Sequence, residues 1–425
     1  MWRRFLCYNT RMLNEIILSL RLEFLLATVK FIISTSPVWL PLFLLGTFTT
    51  LWLKYARTQA MVKAGGVLLE IKLPRDVFKS PMAMEIIITS LFQTGSNSYL
   101  ETFVKGKQRP WFSLEIISIE GNVRFFIWTQ PKYRQLIESQ FYAQYPGVEI
   151  YEAEDYTKNV FVDAEKIQLW GTAFKLRKPD IYPIKTYIDY GLDKEQEEES
   201  KVDPMTSVLE FLGSIKAGEQ VWIQILIQAH RSNSLKEDAA FPQKTDWEKE
   251  AKEEIEKKIA EVKGSESEEG AEGTSYRIPT KSERELIDAL ERSLTKYPFE
   301  VGIRGFYIAR KESFDSIGIT GLIGSFRQYS SRSLNEIKLG KFTDFDYPWE
   351  DFMRILRTKR EVDLLNAYKL RSFFQLPYRH LMAKPFILTT EEIATIFHLP
   401  GKVVGTPTLT KIASRKSEAP ANLPI

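Results

Sequence analysis

From Phe31 to Leu53 the chain reads FIISTSPVWLPLFLLGTFTTLWL, apolar and uncharged throughout. A bilayer core about 30 Å thick is crossed by about 20 apolar residues in a helix, so this run predicts a transmembrane helix over about 36–55. Trp39, Trp52 and Tyr55 sit near its ends, where aromatic rings favour the interface, and Lys54, Arg57 and Lys63 follow as a cytoplasmic flank. Pro37 and Pro41 suit the first turn or two of that helix. The preceding stretch, about 13–33, is rich in Ile and Leu but carries Glu15, Arg21, Glu23 and Lys30. Each charge costs about 2.5–3.5 kcal/mol at a helix centre, so independent spanning is unfavourable. Two readings stay open: an interfacial amphipathic helix, or a tight hairpin turning at Ser34-Thr35-Ser36-Pro37. The hairpin would put Arg3, Arg4 and Arg11 on the side of Lys54 and Arg57. The late apolar core and the lack of a small-residue cleavage site argue against a cleaved signal peptide.

Beyond residue 65 the periodicity alternates between two and 3.6. Val67–Leu73 is β-rich, and Ser80-Pro81 reads as N-cap and first helical residue. Trp111–Ile119 and Val123–Trp128 flank Glu120-Gly121-Asn122, a hairpin signal. Pro131 opens a second helix with Tyr133, Leu136, Ile137, Gln140 and Phe141 at helical spacing, and Gly147–Tyr151 closes the set. The order βαββαβ over 65–157 is that of a ferredoxin-like module.

A second such module is expected over 160–345. Its strands are Lys166–Leu176, Glu219–Gln228, Phe299–Ala309 and Asn335–Leu339, with helices opening at Asp203-Pro204 and about Ser313. A charged insertion, 231–297, interrupts it. Capping boxes Thr245/Glu248 and Thr280/Glu283 start two amphipathic helices, the first with Trp247, Ala251, Ile255, Ile259 and Val262 on one stripe. Between them GSESEEGAEGT reads as an acidic linker, and the pair is expected to project as a helical hairpin. A helical C-terminal part, 346–410, includes a basic stretch and a short helix capped by Thr389/Glu392; 411–425 is a polar linker. The fold class is therefore α+β: a transmembrane helix followed by two ferredoxin-like modules.

Composition changes this picture little. The chain is 44% hydrophobic and 27% charged with a net charge of +3, so no global basicity marks a nucleic-acid binder. Its single cysteine, Cys7, excludes an internal disulfide. No G-x-x-x-x-G-K-[ST] loop or G-x-S-x-G elbow occurs, and His230, His380 and His398 lack neighbours at metal-ligand spacing. Gly318, Gly321 and Gly324 recur every third residue, a spacing for close helix packing. No catalytic residue, metal site or cofactor is expected. The candidate contact surface for nucleic-acid phosphates is Arg354, Arg357, Lys359, Arg360, Lys369 and Arg371; its competing reading is a solvated helix face, since Glu361 and Asp363 interleave.

Longer strings carry a resemblance. LLEIKLPRDVFKSPMAMEI (68–86), WFSLEIISIEGNVRFFIWT (111–129), YAQYPGVEIYEAEDY (142–156), LWGTAFKLRKPDIYPIKTY (169–187), GEQVWIQILI (218–227), EEIATIFHLPG (391–401) and SEAPANLPI (417–425) resemble the region before the ATPase domain in membrane-anchored type IV secretion and conjugation coupling ATPases. The resemblance covers nearly the whole chain. It implies a non-catalytic anchor and assembly domain at the inner membrane, soluble part cytoplasmic. The implied partners are a P-loop ATPase (a separate polypeptide encoded downstream, or one cut off after Asn422-Leu423-Pro424), membrane lipid, DNA and further copies of the chain. No catalytic residue transfers with it.

Overall fold

The computed structural model describes residues 2–73, 79–95, 101, 104–163, 165–194, 202–231, 247–263, 279–345, 347–351, 353–375 and 377–400; of residues 2–23, 25 and 348 it describes the backbone alone. Thr245 of the first insertion capping box, the acidic linker and the 411–425 segment lie outside the described residues. The chain forms two compact units, Met1–Met61 with Ser98–Gln108, and Val62–Asn97 with Arg109–Ile425.

The N-terminal helix α1 runs unbroken over Trp2–Ala64. Of the two open readings the hairpin turning at residues 34–37 is therefore absent, and the separate helices expected over about 13–33 and 36–55 are one. Both prolines lie inside the helix rather than in a first turn. Pro37 lacks the N–H that would bond the Ile33 carbonyl, and the Ser36 hydroxyl donates to that oxygen instead, at 2.7 Å. Thr35 donates to Phe31 O at 2.8 Å and Ser34 to the same oxygen at 3.0 Å, so the hydroxyls that suggested a turn bind the helix's own carbonyls. In the same unit, Gly106, at φ +64°, lies so close to α1 that a Cβ would meet the Ala56 carbonyl carbon at 2.3 Å.

The second unit is built on one antiparallel sheet. Its elements are β1 (Val67–Lys72), α2 (Met82–Ser90), β2 (Trp111–Ile119), β3 (Asn122–Thr129), α3 (Arg134–Gln144) and β4 (Glu149–Glu152), then β5 (Ile167–Leu176), α4 (Pro204–Gly213), β6 (Glu219–Ala229), α5 (Trp247–Lys263) and α6 (Lys281–Leu294), followed by β7 (Pro298–Arg310), α7 (Ser316–Gly324), β8 (Ile337–Phe342), α8 (Ile355–Lys369), β9 (Phe386–Thr389) and α9 (Thr390–Ile396). The strands lie in the order β4-β1-β3-β2-β6-β7-β5-β8, with β9 also on β7. β1 to β4 are thus arranged 4-1-3-2, and β5 to β8 repeat that permutation from the opposite edge. The halves join through β2 and β6, paired from Trp111↔Gln228 to Ile119↔Gln220, so they share one sheet.

Local chemistry accounts for most boundaries. Glu120 and Gly121 both have positive φ, 51° and 82°, as a two-residue type I′ hairpin turn requires. Asp203 caps α4 by accepting from Met205 N at 2.8 Å, with Pro204 at the first helical position. The boxes Thr280/Glu283 and Thr389/Glu392 are both formed. Ser80 serves twice: its hydroxyl oxygen accepts from Met82 N at 3.4 Å, a long form of the expected cap, while its O–H donates to Leu192 O at 2.9 Å.

Strand alternation divides the core. Phe112, Leu114 and Ile116 of β2, with Val221, Ile223 and Ile225 of β6, face a layer containing α2, α3, α4, α7 and α9. Gly318 of α7 lies where a Cβ would meet the Tyr307 ring at 2.5 Å, and Gly321 against Phe211 at 2.1 Å, so two of the three spaced glycines serve close packing. The opposite face, with Ile117, Phe126, Trp222 and Phe306, is covered by Leu364, Leu365 and Tyr368 of α8. Helices α5 and α6 pack on each other. They are also fastened to the sheet unit rather than projecting: Trp247 donates to Asp180 O at 3.3 Å, Tyr182 to Glu254 at 2.6 Å, and Arg292 pairs with Asp189 and Glu391 at 2.9 and 3.0 Å.

Candidate functional site

The six basic residues singled out from sequence do not share one surface. Arg354, Lys359 and Arg360 are exposed on or beside α8. Arg360 lies over the Phe345 ring at 3.8 Å. Next to them Tyr347 and Trp349 stack at 4.7 Å and 12°, both exposed. Arg357 is held by Glu361 at 2.8 Å and Asp344 at 3.0 Å. Lys369 donates to Val160 O at 2.6 Å. Arg371, 1% exposed, lies in the core.

Arg371 ends α8 in an unusual way. Ser372 N donates to Ala367 O at 3.0 Å and Arg371 N to Tyr368 O at 2.9 Å, the two bonds of a Schellman motif. Glycine usually fills its left-handed position; here arginine does, at φ 49°. A side chain in that conformation costs of order 1–3 kcal/mol and persists where the surroundings demand it. The demand is an ionic network on the α8 face of the sheet. The Arg371 guanidinium meets Glu115 at 3.0 and 3.2 Å, and pairs closely with Asp155. Ser113, Gln224 and Tyr156 donate to the same Glu115 carboxylate at 2.7, 3.0 and 2.7 Å. The Tyr156 and Tyr368 hydroxyls are 2.8 Å apart.

Glu115, Gln224 and Arg304 are cross-strand partners on β2, β6 and β7, so the network spans the seam between the two halves. Arg304 donates to Ser372 O at 2.6 Å and lies 4.9 Å from the Phe373 ring centre, without a carboxylate partner among the described ion pairs. Burial pulls its pKa down to about 9. Burial also raises Asp155, but the Arg371 guanidinium and Thr157 outweigh it and hold that carboxyl below its usual value. Tyr156 and Tyr368 are driven well up, mainly by burial and then by the Glu115 charge. Arg371, Glu115, Asp155, Tyr156 and Tyr368 satisfy one another, whereas the buried Arg304 Nε has no hydrogen-bond partner.

A second polar cluster lies beneath α9. Lys296 and Tyr187 bond Glu85 at 2.7 and 2.6 Å. Glu392 accepts from Thr389 N, Thr389 Oγ1 and Ile184 N at 2.7, 2.9 and 2.9 Å. Burial nevertheless lifts its pKa to about 7. His398, fully enclosed, lies 3.1 Å from Asp203, the cap of α4, and 2.9 Å from Ala394 O. Burial opposes its charge, but Asp203 prevails and raises its pKa. His230 lies 3.4 Å from Glu300, which Arg109 holds at 3.2 Å. No group of three or more His, Cys, Asp or Glu side chains among the described residues is placed to hold a metal ion.

Sequence reasoning missed one open feature. A cleft of about 450 Å³ is lined by Lys175, Lys178, Lys341 and Lys384 together with Asp180 and an apolar wall that includes Leu176, Met382 and Phe386. These lysines come from the end of β5, the loop after it, β8 and the segment before β9. No linear basic motif could have flagged them.

No curated protein matches the chain. A family model described as "Domain of unknown function (DUF8128)" matches residues 54–411, most of the chain, and the chain belongs to that family.

Proposed function

We propose that this chain is a non-catalytic membrane anchor and assembly module for a translocating ATPase of the type IV secretion and conjugation class. Its soluble part would lie on the cytoplasmic side of the inner membrane, and each half of the sheet would be a ferredoxin-like module. The observation that carries the reading is α1. Its segment Leu26–Ala64 contains a window of mean hydropathy 1.6 that is 0% buried. Phe31, Leu42 and Leu51 alone are 68%, 66% and 64% exposed. Burying such a side chain is worth about 1.5–3 kcal/mol, so a long run of them favours a lipid environment. The link to a translocation motor rests on the sequence resemblance, which makes a P-loop ATPase encoded nearby the partner to seek. The mutual pairing of the buried ionisable groups supports a structural role for them.

Fractionation tests the anchor. The expected result is a full-length protein that stays in the membrane pellet through alkaline carbonate extraction. Recovery in the soluble fraction, or a mature N-terminus beyond Ala64, would overturn it. A second reading, nucleic-acid binding, is favoured by the exposed Arg354, Lys359 and Arg360 beside the stacked Tyr347 and Trp349, since basic groups and aromatic faces together suit single strands.

A further inference from the structure

We propose that the lysine-lined cleft is a binding site for a small phosphate-bearing ligand with an apolar body. Its volume, about 450 Å³, falls in the range of about 300–1,000 Å³ typical of small-ligand sites. Three stretches distant in sequence bring four lysines to its lining, Lys175 with Lys178, Lys341 and Lys384, against a single carboxylate, Asp180. That carboxylate is engaged inward, accepting from Ile387 N at 3.1 Å. Burial raises its pKa.

The lysines themselves are short of partners. Lys175, Lys341 and Lys384 are exposed and take part in none of the described ion pairs, so their charges are uncompensated by protein. Lys178 is different. It is half-buried and donates to Arg332 O at 3.0 Å and Ser333 O at 2.9 Å, which fixes the ammonium at the cleft wall. An ammonium has three donors, so one remains after those bonds. Three exposed cations and one anchored one match a group carrying several phosphate oxygens.

The opposite lining is apolar. Leu176, Pro179, Met382, Ala383 and Phe386 offer a surface for a non-phosphate body. The wall containing Met382 is held in an uncommon backbone: His380 and Met382 both have positive φ, 54° and 66°. Neither is glycine, and such conformations concentrate at ligand clamps. Phosphate joined to an apolar body describes a nucleotide and also the headgroup region of an anionic lipid. The small volume favours either over a polynucleotide, which needs an extended groove.

Lysine acetylation kinetics on the full chain, read by mass spectrometry, test the site. The protein is reconstituted in phosphatidylcholine nanodiscs, and Lys281, 91% exposed and outside the cleft lining, serves as reference. In one arm sodium tripolyphosphate or ATP is added without metal; in the other, phosphatidylglycerol replaces phosphatidylcholine. A ligand at about ten times its dissociation constant leaves about a tenth of sites free, so acetylation at Lys175, Lys341 and Lys384 should slow about tenfold while Lys281 is unchanged. Slowing in the first arm identifies a soluble phosphate ligand, and slowing only in the second identifies a lipid headgroup. Combined Lys175→Glu and Lys341→Glu substitutions, with thermal melting confirming the fold, should abolish the effect at Lys384. Unchanged rates in both arms overturn the proposal, as does persistent protection of Lys384 in the double variant. Protection by an oligonucleotide but by none of the phosphate probes overturns it also.

Discussion

Replacing Arg371 by methionine removes the cation from the seam network while roughly conserving the volume of its stem. Arg371 is 1% exposed and Glu115 0%, so the carboxylate left behind has no access to water as counter-solvent. Breaking a buried pair from one side costs about 3–5 kcal/mol. Glu115 would retain the Ser113, Gln224 and Tyr156 donors at 2.7, 3.0 and 2.7 Å, which places the loss at the lower end of that range. The left-handed backbone strain stays, because methionine also carries a Cβ. Trp222 is a suitable reporter for thermal melting, with ring centres 5.0 Å from Tyr156 and 5.3 Å from Tyr368. A drop of several degrees is expected. The double variant Arg371→Met with Glu115→Gln should recover much of the loss by removing the stranded charge. A loss under about 1 kcal/mol, or a double variant as unstable as the sum of the singles, would refute the account of this network as mutually dependent.

Two further outcomes are expected. Glu392 carries a pKa pushed up to about 7 by burial, against an unfolded value near 4.5, so ionising it costs the fold about 3 kcal/mol between pH 5 and pH 8; melting temperatures of Glu392→Gln should fall less across that interval than those of the native chain, and equal slopes would contradict it. For nucleic-acid binding, Arg354→Glu, Lys359→Glu and Arg360→Glu together should abolish retention of a single-stranded oligonucleotide at about 50 mM salt, and undiminished retention would dismiss that surface.

Much of the local structure was legible because its determinants are local. Thr280/Glu283, Thr389/Glu392, Asp203-Pro204 and Glu120-Gly121 each fix a boundary through bonds or dihedrals spanning a few residues. The long helix was legible in existence but not in extent, since Ser36 repairs the bond that Pro37 removes and a turn-like composition became helix. What could not be read was which strand neighbours which. Ser113 and Glu115 alternate with Phe112, Leu114 and Ile116 as in a strand with one wet face, yet that face is covered by α8. Arg371 looked like part of a solvated basic run for the same reason: a charge paired in the core and one in water are the same letter. The cleft lysines were invisible because their proximity is made by the sheet order.

The seam between β2 and β6 has a consequence for synthesis. β2, ending at Ile119, is complete long before Glu219 of β6 emerges from the ribosome. Until then its hydrogen-bonding edge, which is flanked by Phe112, Leu114 and Ile116, has no native partner, and an apolar strand left open in that way is prone to wrong pairing. The first four strands can assemble their own order but cannot close this edge. A nascent chain arrested between the two halves should therefore draw on a chaperone, or on a neighbouring nascent chain, at a stage when the finished protein would need neither.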